Sequence, residues 1–297
     1  MKPNKYPIFN PKTQSGIAIV TVLLIVVILA VNAGELLNQQ ASFTRVVQTE
    51  KDREQGSWIL RSSLEWARTI LFNESRNTPM TTLDGLWARP IVGMEIPLPG
   101  SSNKALVTGA IQDEQGKFNL LDLNHPEKAH LTRQQLGKLL EMLGMPVLLV
   151  SSLENKVHYA RAAGFYWRSI QELLSGSSLQ PWQQLLLCNH LTLLPASTPL
   201  NINTASAEVL SATVIGLDLA EAKELVGQRN QGQWFNSTGD FLNRIRKPAS
   251  FPVRPLDITS HWFLVQGEVN LDHAHRQLQA LLYRPQSGMP VVRWIKE

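Results

Sequence analysis

The longest apolar run of the chain lies near its start. Residues 17–33 read IAIVTVLLIVVILAVNA, with no charged side chain among them. At about 1.5 Å rise per residue a helix over these positions roughly spans the hydrocarbon core of a bilayer. Lys2, Lys5 and Lys12 precede the run and Glu35 follows it. The positive-inside tendency therefore puts residues 1–16 in the cytoplasm and everything after Gly34 on the other side. Past Gly34 no proline occurs until Pro79, and Leu60, Leu64, Ala67 and Leu71 recur at helical spacing on one face. This pattern predicts that the membrane segment continues as an amphipathic helix to about Phe72. A separate helix after a loop at Gly34 fits the same residues. Proline and the residue before it resist helix, so Asn77-Thr78-Pro79-Met80 is expected to end it.

Further along, the periodicity changes twice. Residues 84–104 are rich in Pro and Gly around Trp87 and predict a loop. ALVTGAIQD, residues 105–113, reads as a strand, and Asp113 to Gly116 as a turn into a second strand at 117–121, which makes a hairpin. Leucine-rich helical stretches follow at 132–142, 169–174 and 182–189. Residues 261–270, 274–283 and 291–295 return to strand patterns. Strands, then helices, then strands predict an α+β fold in which a helical domain, residues 126–250, interrupts a sheet domain made of 35–125 and 251–297.

The sharpest internal signal sits inside the helical part, in a unit over residues 199–245. NINTASAEVL, from Asn201, offers a cap at Asn203 or Thr204 before a helix. Ile215-Gly216 makes a tight turn, residues 220–229 a second helix, and GQWF from Gly232 through Asp240-Phe241-Leu242 a third start. The unit resembles the SAM-like or helix-hairpin-helix modules of membrane-anchored DNA-uptake receptors. Such hairpins bind phosphate with backbone N–H groups of a glycine-rich turn at a helix N-terminus. Here one of the usual two glycines, Gly216, is present, and Asp218 stands where phosphate would approach. Trp234, Phe235, Phe241 and Leu242 then read as core, and nucleic acid is not the expected partner.

Composition narrows the chemistry. The chain has 297 residues, 43% hydrophobic and 18% charged, enough for a sizeable core. Its formal charge of +4 drops to +1 without Lys2, Lys5 and Lys12, so basicity gives no argument for a polyanion. Cys188 is the single cysteine and has no disulfide partner in the chain. With His190 it lacks an orienting third group. Asp272-His273-Ala274-His275 carries metal-ligand residue types, but its histidines read as solvated turn residues. No phosphate loop or G-x-S-x-G occurs. No catalytic, cofactor-binding or metal residue is assigned, and the chain does not read as an enzyme.

Three readings fit the N-terminal segment. One is a secretory signal cut near Val31-Asn32-Ala33, another an uncleaved anchor. The third rests on Gln14-Ser15-Gly16 standing directly before the apolar run, which resembles the type IV prepilin leader cut after glycine by a membrane peptidase. A glycine there leaves the bond unobstructed and breaks the helix before it. Ile17 would then begin the mature chain, after a leader at 1–16 and with a transmembrane helix at 17–34.

Taken in order, the Gly16 leader, IQDEQGKFNL from Ile111, PLNINTASAEVL from Pro199 and the closing strands resemble the minor pseudopilin K family of type II secretion systems. The resemblance implies a pseudopilin α/β domain with an inserted α-domain, anchored in the inner membrane by one span with the large domain periplasmic. It implies a structural role with minor pseudopilins I and J at the tip of a pseudopilus, initiating or capping assembly for export of folded proteins. Prepilin peptidase and other type II secretion components are the further partners it implies. Most pilin-like subunits have glutamate at the fifth mature residue, here Thr21, so this position is expected to set filament register differently. Some family members bind calcium near the segment that here runs from Ser151 to His158. Calcium takes roughly six to eight oxygen ligands, several from carboxylates, and Glu154 beside Lys156 and His158 does not supply them. A membrane-anchored DNA-uptake receptor is the alternative from another class.

Overall fold

The computed structural model describes residues 15–98, 104–246 and 255–297. The chain divides after Gln55 into two units, Met1–Gln55 and Gly56–Glu297.

A single helix, α1, covers Ser15–Asn77. No loop interrupts it at Gly34, and it ends five residues beyond Phe72, where the Thr78 N–H still reaches the Glu74 carbonyl at 3.0 Å before Pro79. In the first unit the large hydrophobic side chains from Ile19 to Val31 are all between 51% and 67% exposed. In the second unit the predicted stripe Leu60, Leu64, Ala67 and Leu71 is at most 3% exposed.

After α1 come a 3-10 turn at Leu86–Ala88 and strands β1 (Ile91–Pro97), β2 (Lys104–Asp113) and β3 (Phe118–Asn119). The insertion follows, with α2 (Ala129–Met142), α3 (Leu148–Ala162), α4 (Ile170–Leu174), α5 (Pro181–His190), β4 (Leu191–Thr192), β5 (Leu200–Asn201), α6 (Ala207–Thr213), α7 (Leu219–Asn230) and α8 (Thr238–Arg244). The last strands are β6 (Leu256–Asp257), β7 (Trp262–Asn270), β8 (His275–Tyr283) and β9 (Val291–Lys296).

Five of the strands form one antiparallel sheet in the order β1-β2-β7-β8-β9. Its inner face, with Ala105, Val107, Phe263, Val265, Val269, Leu278, Ala280 and Leu282, closes on the α1 stripe and Trp87 to make one core. The insertion has its own core, in which Phe118, Leu120, Leu136, Leu139, Leu173, Leu187, Val209, Phe235 and Phe241 are buried. Strands β3 with β4, and β5 with β6, are short parallel pairs.

Two local expectations are corrected. Residues 84–104 are not all loop, since the 3-10 turn and β1 lie within them; residues 99–103 fall outside the described ones. The hairpin partner of β2 is the preceding β1, with Glu95 opposite Leu106, and not residues 117–121. The reason is local. The Asp113 carboxylate takes the Gln115 N–H at 2.8 Å, which turns the chain out of the sheet and sends Phe118 and Leu120 into the helical core. Helix α3 was not foreseen. Its buried Val150, Leu153, Val157 and Ala160 carry the helical spacing, but the exposed Val147 and Leu148 blur its start.

Candidate functional site

Of the residues expected to govern processing and register, the backbone of Gly16 and Ile17 lies in the first turns of α1, which begins at Ser15. The leader residues 1–14 lie outside the described residues. The Thr21 hydroxyl donates to the Ala18 carbonyl at 2.9 Å. A polar side chain among apolar neighbours is thus satisfied within its own helix, which a lone carboxylate cannot be.

In the second unit the two segments that carry the family resemblance meet in a buried polar junction. Asp113 ends β2 and is 7% exposed. Its Oδ2 accepts from the Thr204 hydroxyl at 2.5 Å, the Ser260 hydroxyl at 2.6 Å and the Asn201 amide at 3.1 Å. Asn201 also donates to the Thr81 carbonyl at 3.1 Å. Gln115 spans the other side, accepting the His261 N–H at 2.6 Å and donating to the Pro199 carbonyl at 3.2 Å. Burial pushes the Asp113 carboxyl above its ordinary range, and the bonds from Ser260, Thr204, Gln115 and Asn201 oppose that. Arg284 lies over the Phe263 ring at 4.7 Å and donates to the Thr81 hydroxyl at 2.7 Å and the Ser260 carbonyl at 2.6 Å. Gly116 is required there because a Cβ would stand 2.6 Å from the Thr204 hydroxyl oxygen. The junction is a structural tie between sheet and insertion; all its members are satisfied by one another, and none is left to meet a substrate.

The cap expected at Asn203 or Thr204 is Ser206, whose hydroxyl accepts the Val209 N–H at 3.3 Å. Thr204 is turned to Asp113 instead. Asn203 is turned to Phe235, accepting its N–H and donating to its carbonyl, both at 2.9 Å. Both residues had long-range polar partners that outcompeted the local cap. Arg229, which no sequence signal marked, is 2% exposed and donates to the carbonyls of Ile202 at 3.0 Å and Ala205 at 2.6 Å. Burial lowers its pKa to about 10, and the guanidinium holds the approach to α6 in place.

The hairpin between α6 and α7 turns at Gly216, with φ at 92°. Asp218 is the N-cap of α7 and its Oδ1 accepts the Glu221 N–H at 2.9 Å. The carboxylate thus occupies the donors that a phosphate would need and repels it. Lys138, whose charge is felt by Asp218, donates to the carbonyls of Ser211 and Leu217. This geometry does not make a phosphate cradle.

Calcium is no better served. Ser151 to His158 lies within α3, and Glu154 is bonded by Arg133, through Nε at 2.8 Å and through Nη2. That hydrogen bond holds the Glu154 carboxyl below its ordinary range. One carboxylate already committed to a guanidinium does not fit a calcium shell. Among the described residues no group of His, Cys, Asp and Glu is disposed to hold a metal. At the β7–β8 turn His275 bonds Asn270 at 2.7 Å and Gln277 at 3.1 Å. Burial raises the Cys188 thiol, the reverse of what activates a nucleophile.

Comparison with known proteins agrees with this architecture. A family model described as type II secretion system (T2SS), protein K, matches residues 200–254, the segment that supplies Asn201 and Thr204 to the junction and holds the hairpin and Arg229. The type II secretion system protein K of Pseudomonas aeruginosa is 27% identical over 310 residues, covering 93% of this chain and 90% of that protein. That of Klebsiella pneumoniae is 26% identical over 321 residues, covering 94% and 95%. The crystal structure of the GspK-GspI-GspJ complex from enterotoxigenic Escherichia coli shares the fold, with a TM-score of 0.62 at 19% identity over 84% of this chain and 98% of that one. The matched segment and the two relatives, similar along nearly their whole length, liken this chain to type II secretion system protein K, and the solved complex shares its fold.

Proposed function

We propose that this subunit stands first in a type II secretion pseudopilus, initiating or capping its assembly with minor pseudopilins I and J. The observation that carries the reading is Thr21, counted fifth from Ile17, with its hydroxyl bonded to Ala18 at 2.9 Å inside an apolar helix. A glutamate at that position needs a neighbour's N-terminal amine, because a charge in hydrocarbon costs about 3 kcal/mol even on permissive scales. A subunit with nothing above it has no amine to neutralise, and threonine needs none. The insertion between β2 and β7, with a core of its own, adds bulk that suits an end better than a tightly wound shaft.

The same reading has prepilin peptidase cut after Gly16, leaving Ile17 as the mature N-terminus. Residues 17–34 then span the inner membrane, with the N-terminus cytoplasmic and the second unit periplasmic. The sheet part, 35–125 and 251–297, is the pseudopilin body, and 126–250 is the inserted α-domain. The solved Escherichia coli assembly, which joins K with I and J, supports these partners. The test is to express the chain with the peptidase and with I and J, purify it through a tag at Glu297 and sequence its N-terminus. Ile17 as first residue, with I and J retained, is the expected result. Gly34 as first residue, or loss of both partners, would overturn the reading.

A further inference from the structure

An apolar cavity of about 220 Å³ opens on the insertion where the end of α3 and the segment after it approach β9. Its walls carry Tyr166, Trp167 and Trp294, and Arg161, Arg168 and Arg293 stand around them. Tyr166 is 79% exposed, a large ring that the fold leaves uncovered. The ring of Phe165 packs edge-on against Trp167 at 5.0 Å and against Tyr159 at 6.1 Å, which makes the wall rigid.

The charges are one-sided. Arg161 donates to the Asn124 carbonyl at 2.5 Å. Among the described residues neither the Arg168 nor the Arg293 guanidinium is joined to a carboxylate. Glu172, the nearest acid in sequence, takes the Arg168 backbone N–H at 3.0 Å and Lys296 at 3.4 Å. The side-chain oxygen of Asn124, also in the wall, is buried without a donor. The site therefore has two cations short of anions and an apolar hole below the roughly 300 Å³ at which drug-sized ligand sites begin. The hole takes one bulky side chain, and the arginines take flanking carboxylates. The segments outside the described residues, 1–14, 99–103 and 247–254, hold no Asp or Glu, so none of them is the complementary occupant.

We infer that this cavity docks an acidic peptide segment of a partner protein, anchored by one bulky apolar side chain. The inference does not depend on where in a filament the subunit sits. It is tested with the full chain in dodecyl maltoside micelles, by fluorescence anisotropy of a labelled peptide Asp-Glu-Phe-Leu-Asp-Glu and its neutral counterpart Asn-Gln-Phe-Leu-Asn-Gln. The acidic peptide binds; the neutral one, and the acidic one on an Arg168→Gln/Arg293→Gln double variant, bind about tenfold more weakly or worse. Both arginines are exposed, so the variant keeps its fold. Tyr166→Ala, which keeps both charges, also weakens binding. No binding of the acidic peptide, or equal binding of the two peptides or by the double variant, would overturn the inference. So would a concentration-dependent dimer in sedimentation velocity that the double variant abolishes, since the occupant would then be a second copy of this chain.

Discussion

Two stretches of α1 are rich in large hydrophobic residues and meet opposite fates. From Ile19 to Val31 every such side chain is more than half exposed, whereas Leu60, Leu64, Ala67 and Leu71 are nearly sealed against the sheet. The difference is one of period. The later stretch keeps Leu60, Leu64, Ala67 and Leu71 on one stripe and puts its charged residues, such as Arg61, Glu65 and Arg68, and the exposed Trp58 and Trp66 off it, so a single protein face covers the stripe. The earlier stretch is apolar all round, and no single protein face covers such a helix. Its solvent has to come from outside the fold, and a bilayer is the solvent that its length and lack of charge match.

The contrast is broken most severely by Leu71→Ala. Leu71 is fully buried, and emptying such a site costs about 2–5 kcal/mol. Chemical denaturation of the full chain in micelles should show that loss while membrane extraction stays unchanged. Next comes Val26→Arg, which puts a charge in the uncovered stretch at a cost of about 3 kcal/mol for insertion. It should release the chain from carbonate-washed membranes and leave the unfolding midpoint of the second unit alone. If either variant moved both readouts, the two stretches would not have separate roles.

A smaller effect is expected in the insertion. Asn203→Ala removes both bonds to the Phe235 backbone and should cost about 2 kcal/mol, because it leaves a buried donor and acceptor unpaired. The same denaturation curve reads it, and no shift would mean that the clamp contributes nothing.

The smallest effect concerns pH. Arg133 holds the Glu154 carboxyl below its ordinary value of about 4.5, so the folded state binds that proton less readily than the unfolded one. The pair's contribution is present above that value and is lost as pH falls through the depressed folded one. Arg133→Gln should therefore lower the thermal midpoint at neutral pH, with the gap to the parent closing in acid. A gap that stays constant with pH would show that the pair acts by packing alone.

Much of this was legible in the sequence wherever the signal was local. The apolar run, the stripe on α1, strands β7 to β9 and the turn at Gly216 follow from period and turn chemistry within a few residues. The pairing of β2 was not, since β1 sits in a Pro- and Gly-rich stretch and carries a positive-φ Gly93 with a register shift between Ile91 and Met94. Nor was the junction. The partners of Asp113 are Thr204, Asn201 and Ser260, at separations that no periodicity encodes. The same competition moved the cap of α6 from Asn203 or Thr204 to Ser206. Arg229 resembles any charged residue near a helix end, and its burial appears only when the approach to α6 folds over it.

The central claim, a minor pseudopilin placed first in its filament, is tested most directly by its position. A gold label carried on the second unit of the full chain, imaged by electron microscopy on assembled pseudopili, is expected at one end of each filament and in few copies. Label spread along the shaft would contradict the account.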